Sequence, residues 1–291
     1  MSEIIMDSLI DTVKDTATMF PFLWFTYIVM EWLERKTEDQ SVALLSRISR
    51  FGHVLGAGIG LIPQCGFSAA AASLYSGGVI TAGTLLAVFL STSDEMLPIF
   101  ISSAVPVSAI AKILTAKFVI ALISGILVDA ASRVIRCGFH ADKHIHDLCE
   151  REHCGCEEEE GSILHSATVH AVRITLFIFA ISLALSLLVG FAGEQKIASL
   201  LSGIPLIATF MTALIGLIPN CAASVLITQM YLGGLLTAGQ LMSGLLVGAG
   251  VGILVLVRTN RHHRENAAVI GTLFALGIAW GLLIDLAGFT F

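Results

Sequence analysis

Two cysteines stand in the same setting at two places in the chain. Cys65 follows Pro63 and Gln64, Cys221 follows Pro219 and Asn220, and a serine lies three residues on in each case, Ser68 and Ser224. Proline removes a backbone donor and ends regular hydrogen bonding, which frees nearby carbonyl oxygens. Those oxygens, with an amide, a thiol and a hydroxyl, form a set that ligates a cation. A helix starting just after each proline would favour an anion instead, and each Pro-x-Cys also reads as a packed kink around an inert cysteine. A second set is Asp94 and Glu95, inside an otherwise apolar segment, where a carboxylate is costly and marks an ion or proton path. Their alternative is a structural ion pair with Lys112 or Lys117, which are expected to head the next helix and would become the binding groups for an anionic substrate.

A third set is of another kind. His140, His144, His146, Cys149, His153, Cys154 and Cys156 are interleaved with Asp142, Asp147, Glu150 and Glu152. Imidazole and thiolate suit Zn, Cu, Ni, Co or Fe, and the carboxylates also tolerate Mn. The spacing matches no zinc-finger pattern, so a flexible metal-collecting tether fits better than a folded site. An acidic linker with incidental metal affinity is the plainer alternative. Asp129 and Asp285, both in Gly-x-x-x-Asp settings, are expected to be solvated helix ends or hydrogen-bonded structural groups. Glu31 reads as interfacial, and Tyr75, Tyr231, Trp24, Trp32 and Trp280 as packing or interface residues. His165, His170, His262 and His263 fall on the same face as the metal-ligating segment.

These groups can meet only if a membrane carries them. Hydrophobic residues make up 56% of the chain, charged residues 13%, and the mean hydropathy is +0.88, which excludes an ordinary soluble protein. Several runs of about 20 apolar residues predict an all-α polytopic membrane protein. The first 15 residues are acidic and polar, so no signal peptide is expected. The net charge of −6 lies mostly in loops, above all Glu157 to Glu160, and identifies no partner. The six cysteines, two in apolar repeats and the rest in or beside one polar loop, do not form a secreted disulfide pattern.

Residues 60–83 and 216–239 align without a gap at an offset of 156, with 12 of 24 positions identical, and Gly125 and Asp129 keep that offset to Gly281 and Asp285. Such self-similarity marks a duplicated half, and Pro-interrupted apolar segments at matching places point to a transporter's binding site. The chain divides into a first transmembrane repeat (1–136), a His/Cys/acid-rich loop (137–165) and a second repeat (166–291). Helices are expected at 16–33 (interrupted by Pro21), 79–105 (broken at Ser91 to Glu95), 107–136, 167–192, 235–257 and 267–289. Shorter arms are expected at 51–63, 64–76, 203–219 and 220–232. An arm of 13 residues is about 20 Å long against a hydrocarbon core of about 30 Å, so each pair reads as a re-entrant, Pro-broken hairpin.

An odd number of crossings per half makes the two repeats inverted. One face carries 12 of the 16 Lys and Arg, and the other only Lys14 and Lys196, so the positive face is cytoplasmic and both termini lie outside. The hairpins then enter from opposite sides and their tips meet at the membrane midplane.

With its two repeats, its paired Gly-x-x-Pro-[Gln/Asn]-Cys segments (Gly60 to Cys65, Gly216 to Cys221) and its central loop, the whole chain resembles a bacterial family of ten-helix heavy-metal exporters. Members carry labels such as arsenic efflux protein and manganese transporter. Six spans and four half-helices make ten. The resemblance implies metal or metalloid export and leaves the ion open.

The expected protein is a transporter and not an enzyme: a secondary carrier of the bacterial inner membrane exporting a divalent cation such as manganese or zinc, coupled to protons. No Gly-x-x-x-x-Gly-Lys-[Ser/Thr] motif occurs in the sequence. Efflux of arsenite or organoarsenicals, and a passive channel of the same architecture, stay open. A thiol oxidoreductase would need a Cys-x-x-Cys relay, which the sequence lacks. No cofactor is expected beyond the transported ion. The partners are that metal or metalloid ion and the lipid bilayer, with a homo-oligomer open and no nucleic acid.

Overall fold

A computed structural model describes residues 2–35, 52–93, 96–135, 163–192, 205–289 and 291. Among the described residues every regular element is helical. In chain order these are α1 (Ser2–Arg35), α2 (52–60), α3 (Gly66–Ser76), α4 (Ala82–Ser91), α5 (Met96–Ser102), α6 (Val107–Ile135), α7 (Ile163–Ala192), α8 (Pro205–Gly216), α9 (Cys221–Leu232), α10 (Ala238–Val247), α11 (Gly252–Thr259) and α12 (His263–Leu286). With α4–α5 and α10–α11 each taken as one interrupted helix, the described helices number ten.

Five stretches are long and apolar enough to cross a membrane: Ala82–Ser102 (which runs across residues 94 and 95, outside the described set), Val107–Ser132, Ala167–Ala184, Ala238–Thr259 and His263–Leu286. On α6 the exposed residues Val119, Ile123, Ile126 and Leu127 recur at helical spacing, while Ile113, Ile120, Ala121 and Ser124 are buried. An apolar stripe on the outside of an already packed helix is stable only against lipid. The chain is a multi-pass membrane protein.

The structure corrects several boundaries. The first helix starts at Ser2, not at residue 16, and runs through Pro21 without a break. α1 packs along α7 and α3, and a proline inside a membrane helix is tolerated where neighbours re-satisfy the freed backbone. Near Pro21 the Gln64 amide donates to the Thr18 carbonyl at 2.9 Å. The segment expected as one helix over 235–257 is interrupted at Gly248 to Val251, as the first is near Ser93. Gly250, at φ 54°, takes a conformation that glycine adopts without strain. The last helix begins at His263, four residues early, because Glu265 and Asn266 turn inward onto Asn260.

Elements recur at the 156-residue offset. α4 and α10 begin and end at that spacing, and α6 and α12 begin at it. Packing recurs too: α4 lies on α6 as α10 lies on α12, and α3 lies on α11 as α9 lies on α5. Glycines permit the closest approaches. A Cβ on Gly83 would stand 2.2 Å from the Gly125 carbonyl oxygen, and one on Gly239 would stand 2.2 Å from that of Gly281. The α2–α4 and α8–α10 crossings repeat in the same way, with Gly60 against the Val88 carbonyl and Gly216 against that of Gly244.

Candidate functional site

Each Pro-x-Cys segment ends one helix and starts the next. After α2 the backbone closes tight turns, ending with the Gln64 N–H on the Ile62 carbonyl at 2.7 Å; after α8 the Asn220 N–H bonds Ile218 at the same distance. The hydroxyls of Ser68 and Ser224 both fold back, donating to the carbonyls of Cys65 (2.8 Å) and Cys221 (2.9 Å). The amides differ. Gln64 reaches α1, whereas the Asn220 Oδ1 accepts from the Ala222 N–H at 3.3 Å and caps α9. Pro63 is exposed and Cys65 buried, while Pro219 and Cys221 are half-buried.

A cavity of about 10 Å³, room for one water or one bare ion, lies beside the second of these segments. Asn220, Cys221 and Ser224 line it from α9; Thr92, Ser93 and Met96 line it from the first interrupted helix. Gly244, Leu245, Gly248 and Gly250 line it from the second. The structure thus gathers Asn220, Cys221 and Ser224 beside Ser93, the residue before Asp94. Pro63, Gln64, Cys65, Ser68 and Pro219 do not line this cavity. Ser68 packs close to Gly252, where an added Cβ would come within 2.9 Å of its Cβ. Asp94, Glu95 and all of the loop residues His140, His144, His146, Cys149, His153, Cys154 and Cys156 lie outside the described residues.

The two interrupted helices meet the cavity with their C-terminal ends. The α4 end satisfies itself with hydroxyls: Thr92 Oγ1 donates to the Val88 carbonyl (2.8 Å), Ser91 Oγ to that of Ala87 (2.8 Å) and Ser93 Oγ to that of Ser91 (3.0 Å). Helix C-termini carry the negative end of the dipole. Helix N-termini face the cavity as well: that of α9, with one N–H taken by Asn220, that of α5, whose first residue is Met96, and that of α11, which starts two residues after Gly250. A cation lies against the carbonyls of the two C-terminal ends. Lys117 is fully buried, and its Nζ donates to the carbonyls of Thr92 and Leu245, the latter at 3.2 Å. It does not head its helix as the sequence suggested, but sits ten residues inside α6. Lys112 is exposed.

Asp129 and Asp285 have the structural role expected of them. Each carboxylate accepts the N–H of the glycine in Thr-Ala-Gly, Gly83 or Gly239, at 2.8 Å. Each also accepts the hydroxyl of the preceding threonine, Thr81 (2.5 Å) or Thr237 (2.8 Å). Those threonines are the N-caps of α4 and α10, so the acids lock α6 and α12 onto capped N-termini. Only the first half adds His53, 2.8 Å from Asp129.

Several other polar groups find partners. Tyr75 donates to Glu265 (3.4 Å) and Ser76 bonds Thr259 (2.6 Å), while Tyr231 donates to the Phe291 carbonyl (3.4 Å). Trp24 donates to Thr168 (2.9 Å) and Trp280 to Ser124 (3.0 Å). His170 stacks on Tyr27. Sequence reasoning passed over Thr92, Ser93 and Gly248. The signal for them was present: they flank the acid pair and its glycine counterpart at one offset. Among the described residues, no group of three or more His, Cys, Asp and Glu side chains is placed to hold a metal ion.

A family model described as "Putative, 10TM heavy-metal exporter" matches residues 1–186. No curated protein and no solved structure matches the chain.

Proposed function

Since the chain belongs to that ten-helix family of heavy-metal exporters, we propose that it exports a divalent cation such as manganese or zinc across the bacterial inner membrane. It works by alternating access, driven by the proton gradient. The cavity between the two interrupted helices and the start of α9 carries this reading. One thiol (Cys221) among amide, hydroxyl and carbonyl oxygens suits a hard or borderline divalent ion, and a single thiol gives trivalent arsenic little of the sulfur it prefers. Asp94 and Glu95 follow directly on Ser93 in the sequence, and they supply the negative charge that a dication needs. Gln64, Cys65 and Ser68 serve the path from the opposite side.

The two halves are inverted repeats whose Pro-broken hairpins enter from opposite leaflets. Support comes from the reciprocal packing of α3 on α11 and α9 on α5. Ser124 and Trp280, which are 156 residues apart, touch each other, as equivalent residues do beside an axis relating two halves. The termini then lie outside. The cytoplasmic loop 137–165 collects metal through His140, His144, His146, Cys149, His153, Cys154 and Cys156.

A strain lacking the gene, grown across Mn, Zn, Co, Ni and arsenite with intracellular metal measured, tests the reading. Accumulation of Mn or Zn, reversed by the wild-type gene and not by Cys221→Ala, is expected. Sensitivity to arsenite alone would overturn the choice of a divalent ion.

A further inference from the structure

We propose that Lys117 is a tethered cation that fills the ion site of the empty carrier and is displaced by the transported ion. The inference rests on the exporter reading above and adds the device that ties loading to return. Lys117 has no exposed surface, and its ammonium sits on two carbonyls, Thr92 from one interrupted helix and Leu245 from the other. Both residues line the cavity. An ammonium is expensive to bury, and the equivalent position in the second half is Leu273, also fully buried. There Gly250 and Val251 stand where the first half has Asp94 and Glu95, so the lysine belongs to the half that carries the acid pair.

Carbonyls at helix C-termini are the groups that replace water around a cation, and in the empty cavity an intramolecular cation occupies them. A dication entering beside Cys221 and Asn220 cannot share that space with a unit positive charge, so the side chain must swing away on its flexible stem. When the ion leaves, the ammonium returns and leaves no uncompensated carbonyls in the membrane. An ion-free carrier with its coupling protons bound can therefore reorient with the ammonium in the ion's place, and a loaded carrier reorients with its ion there instead.

Removal of the charge should separate two activities that a merely structural lysine would keep together. Lys117→Gln retains hydrogen-bond donors for the two carbonyls, and Lys117→Met tests the same point without them. In lipid nanodiscs, both variants are expected to bind Mn²⁺ or Zn²⁺ about tenfold more tightly than wild type, the scale of a typical coupling between sites. In proteoliposomes they should keep exchange of internal for external metal but lose net efflux. If Met fails to fold, the Gln variant decides. Unchanged affinity with unchanged net efflux refutes the tethered cation, and so does loss of exchange and efflux together in a folded variant. Wild-type protein that binds neither metal refutes the exporter reading itself, a separate outcome.

Discussion

Asp129 gives the sharpest test of which buried charges hold the fold and which move ions. A carboxylate inside a membrane protein is by default a functional group, yet this one accepts from Gly83 N–H, Thr81 Oγ1 and His53 at 2.8, 2.5 and 2.8 Å. Hydrogen bonds to a charged group contribute about 1.5–3 kcal/mol each. Three on one carboxylate do not add fully, and at 10% and 13% side-chain exposure Asp129 and His53 are within reach of some water. Asp129→Ala should therefore destabilise by about 3–5 kcal/mol. Asp129→Asn keeps an acceptor for Gly83 and should cost about 1–2 kcal/mol. Denaturation of the purified protein in detergent measures the loss, and metal efflux per folded molecule in proteoliposomes measures the function. Both variants should transport at the wild-type rate per folded molecule. A stable Asp129→Asn protein with abolished transport would refute the structural assignment.

The same arithmetic gives Asp285→Ala a smaller loss, about 2–3 kcal/mol, because it accepts from Gly239 and Thr237 with no histidine added; a loss equal to that of Asp129→Ala in the same denaturation series would contradict this. Cys221→Ala should weaken metal binding about tenfold, while Cys65→Ala, away from the cavity, should leave affinity in the same nanodisc titration within a factor of about two. Gly216→Ala would bring a methyl group within 2.2 Å of the Gly244 carbonyl, and overpacking of that kind should cost about 1–3 kcal/mol in the melting assay. Gly250→Ala forces a side chain onto a backbone at φ 54° and should cost about 1–2 kcal/mol.

The recurrence of elements at one offset was readable because whole motifs repeat at it in the sequence: Pro-x-Cys, Thr-Ala-Gly and Gly-x-x-x-Asp. What the sequence could not say is that two of these motifs are one device, Thr81-Ala82-Gly83 being the cap that Asp129 closes. That contact joins residues 48 and 46 positions apart, beyond the reach of periodicity. The start of α1 was hidden because Asp7, Asp11, Lys14 and Asp15 interrupt the apolar pattern, and a pattern along one helix does not show the packing of α1 against α7. The second helix interruption was hidden for the opposite reason. Gly248, Ala249 and Gly250 are apolar enough to pass as spanning helix, and Gly250's positive φ is a property of the backbone. Lys117 looked like a helix-end charge because it lies near Pro106, and its burial between Thr92 and Leu245 depends on a contact 128 residues away.

The direct test of the account is where the metal sits. Anomalous scattering from protein loaded with Mn²⁺ or Zn²⁺ should show an ion in the cavity bounded by Asn220, Cys221 and Ser224 on one side and Thr92 and Ser93 on the other, with the Lys117 ammonium moved off its carbonyls. Metal confined to the segment 137–165, with that cavity empty and Lys117 in place, would contradict it.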